Sequence, residues 1–140
     1  MNVPRLLLAA LGGTVAYFAF GGMFFGLLPL LRDEYRKYPA VYRGPDEMKS
    51  VMPAGFAAMV VAILVITVIY AMAYRGESGL AAGARFGALI GVFAVCAFVI
   101  HNHVNLRIGF KLTLEQSVAY FTEWVIVGIV IGLVYRPAGP

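Results

Sequence analysis

The chain is poor in the residues from which most active sites and metal sites are built. Its 140 residues include two histidines, one cysteine and one tryptophan, and only 13% are charged. The lone Cys96 excludes an intrachain disulfide, and its place within an apolar run predicts a small buried hydrophobe. GxSxG, HExxH, phosphate-loop and paired-cysteine signatures are all absent. No complete catalytic motif remains, so the expectation is a protein that is not an enzyme. The net charge of +4 comes from Lys and Arg scattered near the ends of apolar runs rather than from a basic stripe. Nucleic acid is therefore not an expected partner.

What the chain does have is apolar length. Hydrophobic residues make up 61% of it, with a mean hydropathy of +0.84. A soluble domain of this size is about half apolar and about a quarter charged. Here the excess lies in long runs, which predicts an integral membrane protein with the lipid bilayer as its first partner. The first run, Leu6–Leu31, carries no charge and is longer than a signal-peptide core, so a retained span is expected. A second span is expected over 51–74, with Ser50 as N-cap and Pro53 in its first turn. The third covers 79–104. Ser78 is its cap candidate, its helical pattern persists to about Ile108, and Gly109 is its stop. The fourth covers 114–135, opened by the capping-box pattern Thr113–Leu114–Glu115–Gln116 and closed before Arg136–Pro137. About 22 residues of helix give roughly 33 Å, enough to cross. These features predict one all-α domain, a four-transmembrane-helix bundle with short loops.

The substantial connection is residues 32–50, in which Tyr35, Tyr38 and Tyr42 alternate with basic residues. Such a segment suits the headgroup layer, as an interfacial loop or a lipid-headgroup or partner contact. The ends bearing the odd-numbered loops hold Arg32, Arg36, Lys37, Arg43, Lys49, Arg107 and Lys111, against Arg5, Arg75, Arg85 and Arg136 on the other side. That balance predicts a cytoplasmic Tyr-rich loop and both termini outside.

Helices in lipid associate through close packing and interhelical hydrogen bonds rather than apolar burial. Small residues at four-residue spacing are therefore informative. The third span carries Gly79, Gly83, Gly87 and Gly91, the fourth Gly128 and Gly132, and the second Ala54, Ala58 and Ala62. Such smooth faces serve packing within one chain or contact with another subunit.

Intramembrane ionisable groups are costly and raise a functional hypothesis by default. Arg85 sits one to two turns into its helix, where its stem can snorkel to the headgroups. Glu123 lies ten residues beyond Thr113, about 15 Å along its helix and near mid-bilayer. The hairpin turning near Lys111 puts His101 at a depth within one turn of Glu123. Gln116, Tyr120 and Glu123 share one helix face, while His101 and Asn105 are i, i+4 neighbours flanked by Asn102. A polar seam of these six residues would hold Glu123 protonated or paired with His101. His101 and His103 point about 200° apart on a helix, which disfavours a shared metal ion, and no metal site is expected. No cofactor is assigned, although single axial ligation of a haem or chlorin by one histidine is an alternative.

Residues 101–136, HNHVNLRIGFKLTLEQSVAYFTEWVIVGIVIGLVYR, resemble the C-terminal half of small four-span bacterial inner-membrane families of unknown function. In those families an Asn-Leu segment ends the third span. A basic residue and Leu-Thr-Leu then lead into a Gly-bearing fourth span. Asn105–Leu106 and Lys111–Leu112–Thr113–Leu114 carry that pattern. The family pattern also has acidic residues near the asparagine and early in the last span, where this chain has histidines and Glu115–Gln116. The resemblance implies a bacterial inner-membrane protein and implies no activity or catalytic residue.

The leading expectation is thus a non-enzymatic structural or accessory membrane protein, packing as a homo-oligomer or in a larger membrane complex. The rival is a small transporter or proton-linked polar-solute protein using the Glu/His/Asn cluster, and a haem- or chlorin-binding subunit stands third.

Overall fold

The computed structural model describes residues 2–27, 29–76 and 79–135, and every regular element among them is a helix. Helix α1, Val3–Gly21, begins at the Asn2 side chain, which accepts the Arg5 amide, and passes into a π-helical stretch, π1, Gly22–Leu27. A short α2 follows, Pro29–Tyr35. Helix α3 runs Pro45–Ala73. The third span is composite: α4, Gly79–Ala94, then a second π-helical stretch, π2, Val95–Ile100, then α5, His101–Asn105. Helix α6 runs Phe110–Val134. Four helical stretches are long and apolar enough to cross a bilayer: Val3–Phe25, Pro45–Ala73, Gly79–Asn105 and Phe110–Val134. The expected all-α four-helix membrane bundle is the fold observed.

Several boundaries differ from expectation for local reasons. The first apolar run is described in two pieces. Its described spanning stretch is Val3–Phe25, a helix over Pro29–Tyr35 follows, and the join at position 28 lies outside the described residues. The second helix starts six residues before Val51, with Gly44 as N-cap and Pro45, not Pro53, at its first turn. Ser50 is inside that helix, and its hydroxyl donates to the Glu47 carbonyl instead of capping. Gly109 caps the start of α6 rather than ending the third helix, which stops at Asn105. Thr113 is therefore already helical and the capping box does not form. Ser78 and Arg136–Pro137 lie outside the described residues.

Helix α6 is the centre of the bundle. Its buried stripe runs from Leu112 through Gln116, Glu123 and Val127 to Gly132, contacting α4 along one side and α1 along the other. The α4 contact depends on bare backbone. A Cβ on Gly87 would stand 2.5 Å from the Trp124 carbonyl oxygen and one on Gly128 2.5 Å from that of Gly83. Gly79, Gly83 and Gly132 meet in the same seam, and Gly91 abuts Phe121. The ladder is thus engaged within the chain.

Two apolar clusters mark the ends. At the terminal end, Leu6, Tyr70, Val127, Ile131 and Tyr135 pack together, with edge-to-face rings at Tyr70–Phe86 and Tyr74–Tyr135. At the loop end, Leu31, Ile108, Leu112 and Ala119 form a second cluster. The two odd-numbered loops meet there: the Tyr38 hydroxyl accepts the Gly109 amide at 2.9 Å, and Lys111 pairs with Glu34 at 3.2 Å. Helix α3 is the least embedded, with every residue from 45 to 58 exposed.

Candidate functional site

Glu123 is 1% exposed, and among the described residues neither of its carboxylate oxygens has a hydrogen-bond partner. It points to α1, where Gly21 makes room: a Cβ there would lie 2.6 Å from Oε1. Titratable groups within its electrostatic reach include Tyr17 on α1 and Tyr120 on its own helix. Burying an unpaired charge is costly, so a carboxyl in this setting requires a proton or a cation from outside the protein's own side chains.

Beside it a cavity of about 360 Å³ opens among all four spans and the first loop. Helix α6 supplies Gln116, Tyr120 and Trp124, on successive turns of one face; α1 supplies Tyr17 and α3 supplies Met59. The third span contributes Ala94, the π2 residues Phe98 and Val99, and Asn102. From the first loop region, Tyr35 and Tyr42 fold inward. Gln116 Nε2 donates to their hydroxyls at 2.6 and 3.3 Å, and their rings meet edge-to-face at 4.6 Å. Tyr35 and Tyr42 of the first loop region thus form the roof of the cavity. Burial pushes the pKa of the Tyr35 hydroxyl up, Tyr120 adds to this and the Gln116 bond opposes it, so Tyr35 is a neutral phenol. Both π-helical stretches adjoin the site, π2 through Phe98 and π1 through Phe25, whose ring lies 5.3 Å from Tyr120. Such stretches widen a helix locally and recur at functional sites.

The six residues of the expected polar seam thus divide. Gln116, Tyr120 and Asn102 border the cavity and Glu123 lies next to it. His101 and Asn105 do not join them. Both are exposed, with the Asn105 amide nitrogen donating to the His101 carbonyl. The expected His101–Glu123 contact is not formed, because the glycine ladder fixes which face of the third span meets α6. Continuing its four-residue step from Gly91 leads to Val99 and His103, not His101. Val99 is buried, and His103 Nδ1 lies 2.9 Å from the Thr113 hydroxyl. That same step was the signal in the sequence that identifies the facing histidine. Among the described residues, no three His, Cys, Asp or Glu side chains are grouped to hold a metal ion.

Outside this site, Cys96 is exposed rather than buried, in an apolar groove with Val92, Val118 and Phe121, because it lies off the ladder face. Arg85 is also exposed and borders a cleft of about 270 Å³ with Arg75, Tyr70 and Tyr74 at the terminal end.

Fold and site together define a polytopic helical membrane protein with a polar, aromatic-lined cavity next to a buried carboxyl. The family model for proteins of unknown function DUF1761 matches residues 8–132, and the chain belongs to that family. No curated protein and no solved structure matches it.

Proposed function

We propose that the protein binds and moves a small polar solute through the cavity bordered by Gln116, Tyr120 and Asn102, with Glu123 as the proton-carrying group. One observation carries this reading: a carboxyl at 1% exposure, both oxygens unpartnered among the described residues, within electrostatic reach of Tyr17 and Tyr120, which line a solute-sized space. A carboxyl kept only to tie helices together would be expected to have a donor facing it, and Gly21 faces it instead. Protonation and deprotonation of Glu123, against the hydroxyls of Tyr17 and Tyr120, would alternate with solute binding. Proteoliposomes under an imposed pH gradient, offered a mixture of labelled polar metabolites, test this. The wild type should accumulate at least one compound, and Glu123→Gln should abolish its pH-dependent uptake.

A second reading, membership of a homo-oligomer or larger membrane assembly without transport, draws on α3. Its residues 45–58 are all exposed, and include Ala54 and Ala58, although the Phe56 ring packs edge-to-face on Phe18 of α1 at 4.7 Å. The glycine ladder no longer favours this reading, since α4 and α6 use it between themselves. With Cys96 replaced by alanine, Ala54→Cys should form a disulfide-linked dimer in native membranes if α3 pairs with a second copy.

A further inference from the structure

Resting on the solute reading above, we propose that the ligand of this cavity is a small organic cation bearing an ammonium group. The walls decide its chemistry. Tyr17, Tyr35, Tyr42, Phe98, Tyr120 and Trp124 line the space, and the lining contains no Lys, Arg or His. Aromatic faces attract a cation within about 6 Å of the ring, more strongly when water is excluded, and aromatic cages recognise quaternary ammonium groups in this way. The rings enclose the space at varied angles instead of stacking flat: Tyr17 and Trp124 are tilted by 48° at 5.5 Å, and Tyr35 and Tyr42 stand at 82°.

Gln116 and Glu123 agree in sign. Gln116 spends its amide nitrogen on the Tyr35 and Tyr42 hydroxyls, which leaves its carbonyl oxygen as the acceptor. Glu123, one turn beyond Tyr120 and within electrostatic reach of Tyr17 and Tyr120, places the nearby negative charge. An anion would meet no cationic partner in this wall, and a neutral solute would gain no charge–charge attraction from Glu123 when its carboxyl is ionised. A cavity of about 360 Å³ admits a small molecule and excludes a macromolecule.

Trp124 is the chain's sole tryptophan and lies in the cavity wall, so its fluorescence reports occupancy directly. The full-length protein in lipid nanodiscs is titrated with choline, its neutral isostere 3,3-dimethylbutan-1-ol and the anion 3,3-dimethylbutanoate, with equilibrium dialysis of labelled choline as a second readout. Choline should bind saturably and the neutral alcohol about tenfold or more weaker. Tyr120→Leu should lower choline affinity while Tyr120→Phe, which keeps the ring, preserves it. Equal or tighter binding of the alcohol or the anion overturns the inference, as does absence of saturable choline binding by both readouts. The two proposals separate cleanly. Glu123-dependent uptake of a neutral solute would overturn the cation inference alone. Choline selectivity with uptake indifferent to Glu123→Gln would uphold it while removing the proton-linked mechanism.

Discussion

The carboxyl of Glu123 rests against Gly21, so close that a Cβ on the glycine would stand 2.6 Å from Oε1. The obstructing atom is the tip of a rotatable side chain, which can move aside where backbone could not. Gly21→Ala is therefore expected to displace the carboxyl and impair pH-dependent uptake while costing no more than about 1 kcal/mol in stability. Thermal unfolding in detergent beside the uptake assay separates the two effects. A variant that unfolds readily, or that transports normally, would contradict this account of Gly21.

A different outcome is expected at the α4–α6 seam. A Cβ on Gly83 would strike the Gly128 carbonyl and approach the Ile129 Cα at 3.0 Å, both backbone and unable to rotate away. Gly83→Ala should destabilise the monomer by about 1–3 kcal/mol, whatever the oligomeric state. Gly22, with nothing within 4 Å of its Cβ position, supplies the control: Gly22→Ala should be within about 0.5 kcal/mol of wild type. Comparable melting temperatures for the two variants would refute the seam as drawn.

The loop end has its own test in Glu34, a buried residue at the junction of α2 with α6. The hydrogen bond from Lys37 holds its carboxyl below the ordinary value of 4.5; burial opposes this and Lys111 reinforces it. Since the folded-state value is lowered, the stabilisation is complete above about pH 4.5 and is lost as pH falls through that lowered value. Wild type should therefore lose stability on acidification in that window more steeply than Glu34→Gln. Parallel pH profiles for the two would show that the ion pairs contribute nothing.

Gln116 holds the tyrosine roof. Replacing it with leucine strips the Tyr35 and Tyr42 hydroxyls of their shared donor, at about 1–3 kcal/mol for partners left unpaired. Local opening of the loop should rise roughly tenfold for each 1.4 kcal/mol lost. Trypsin cleavage at Arg36, Lys37 and Arg43 under native conditions measures that opening; an unchanged cleavage rate would mean the roof is held elsewhere.

Much of this architecture was legible from residue pattern. Apolar length marked the four spans, and the Gly79–Gly91 ladder marked the close approach of the third span. The ladder also sets which face of the third span meets α6, whereas equal depth places His101 level with Glu123 and says nothing about rotation. The capping pattern at Thr113 failed because Gly109 already supplies the helix start, four residues earlier. Neither π-helical stretch has a local signature: GMFFGL and VCAFVI read as ordinary apolar helix. The inward tyrosines were hidden because Tyr35 and Tyr42 find their donor more than seventy residues away, at Gln116.

The central claim is that Glu123 is a working group rather than a structural one. Its most direct test is pH-gradient-driven uptake by proteoliposomes containing wild type, Glu123→Gln and Glu123→Asp at matched folded content. Uptake is expected for wild type, none for Glu123→Gln despite an intact melting transition, and partial uptake with an altered pH profile for Glu123→Asp. Uptake by Glu123→Gln equal to wild type at every pH would contradict it.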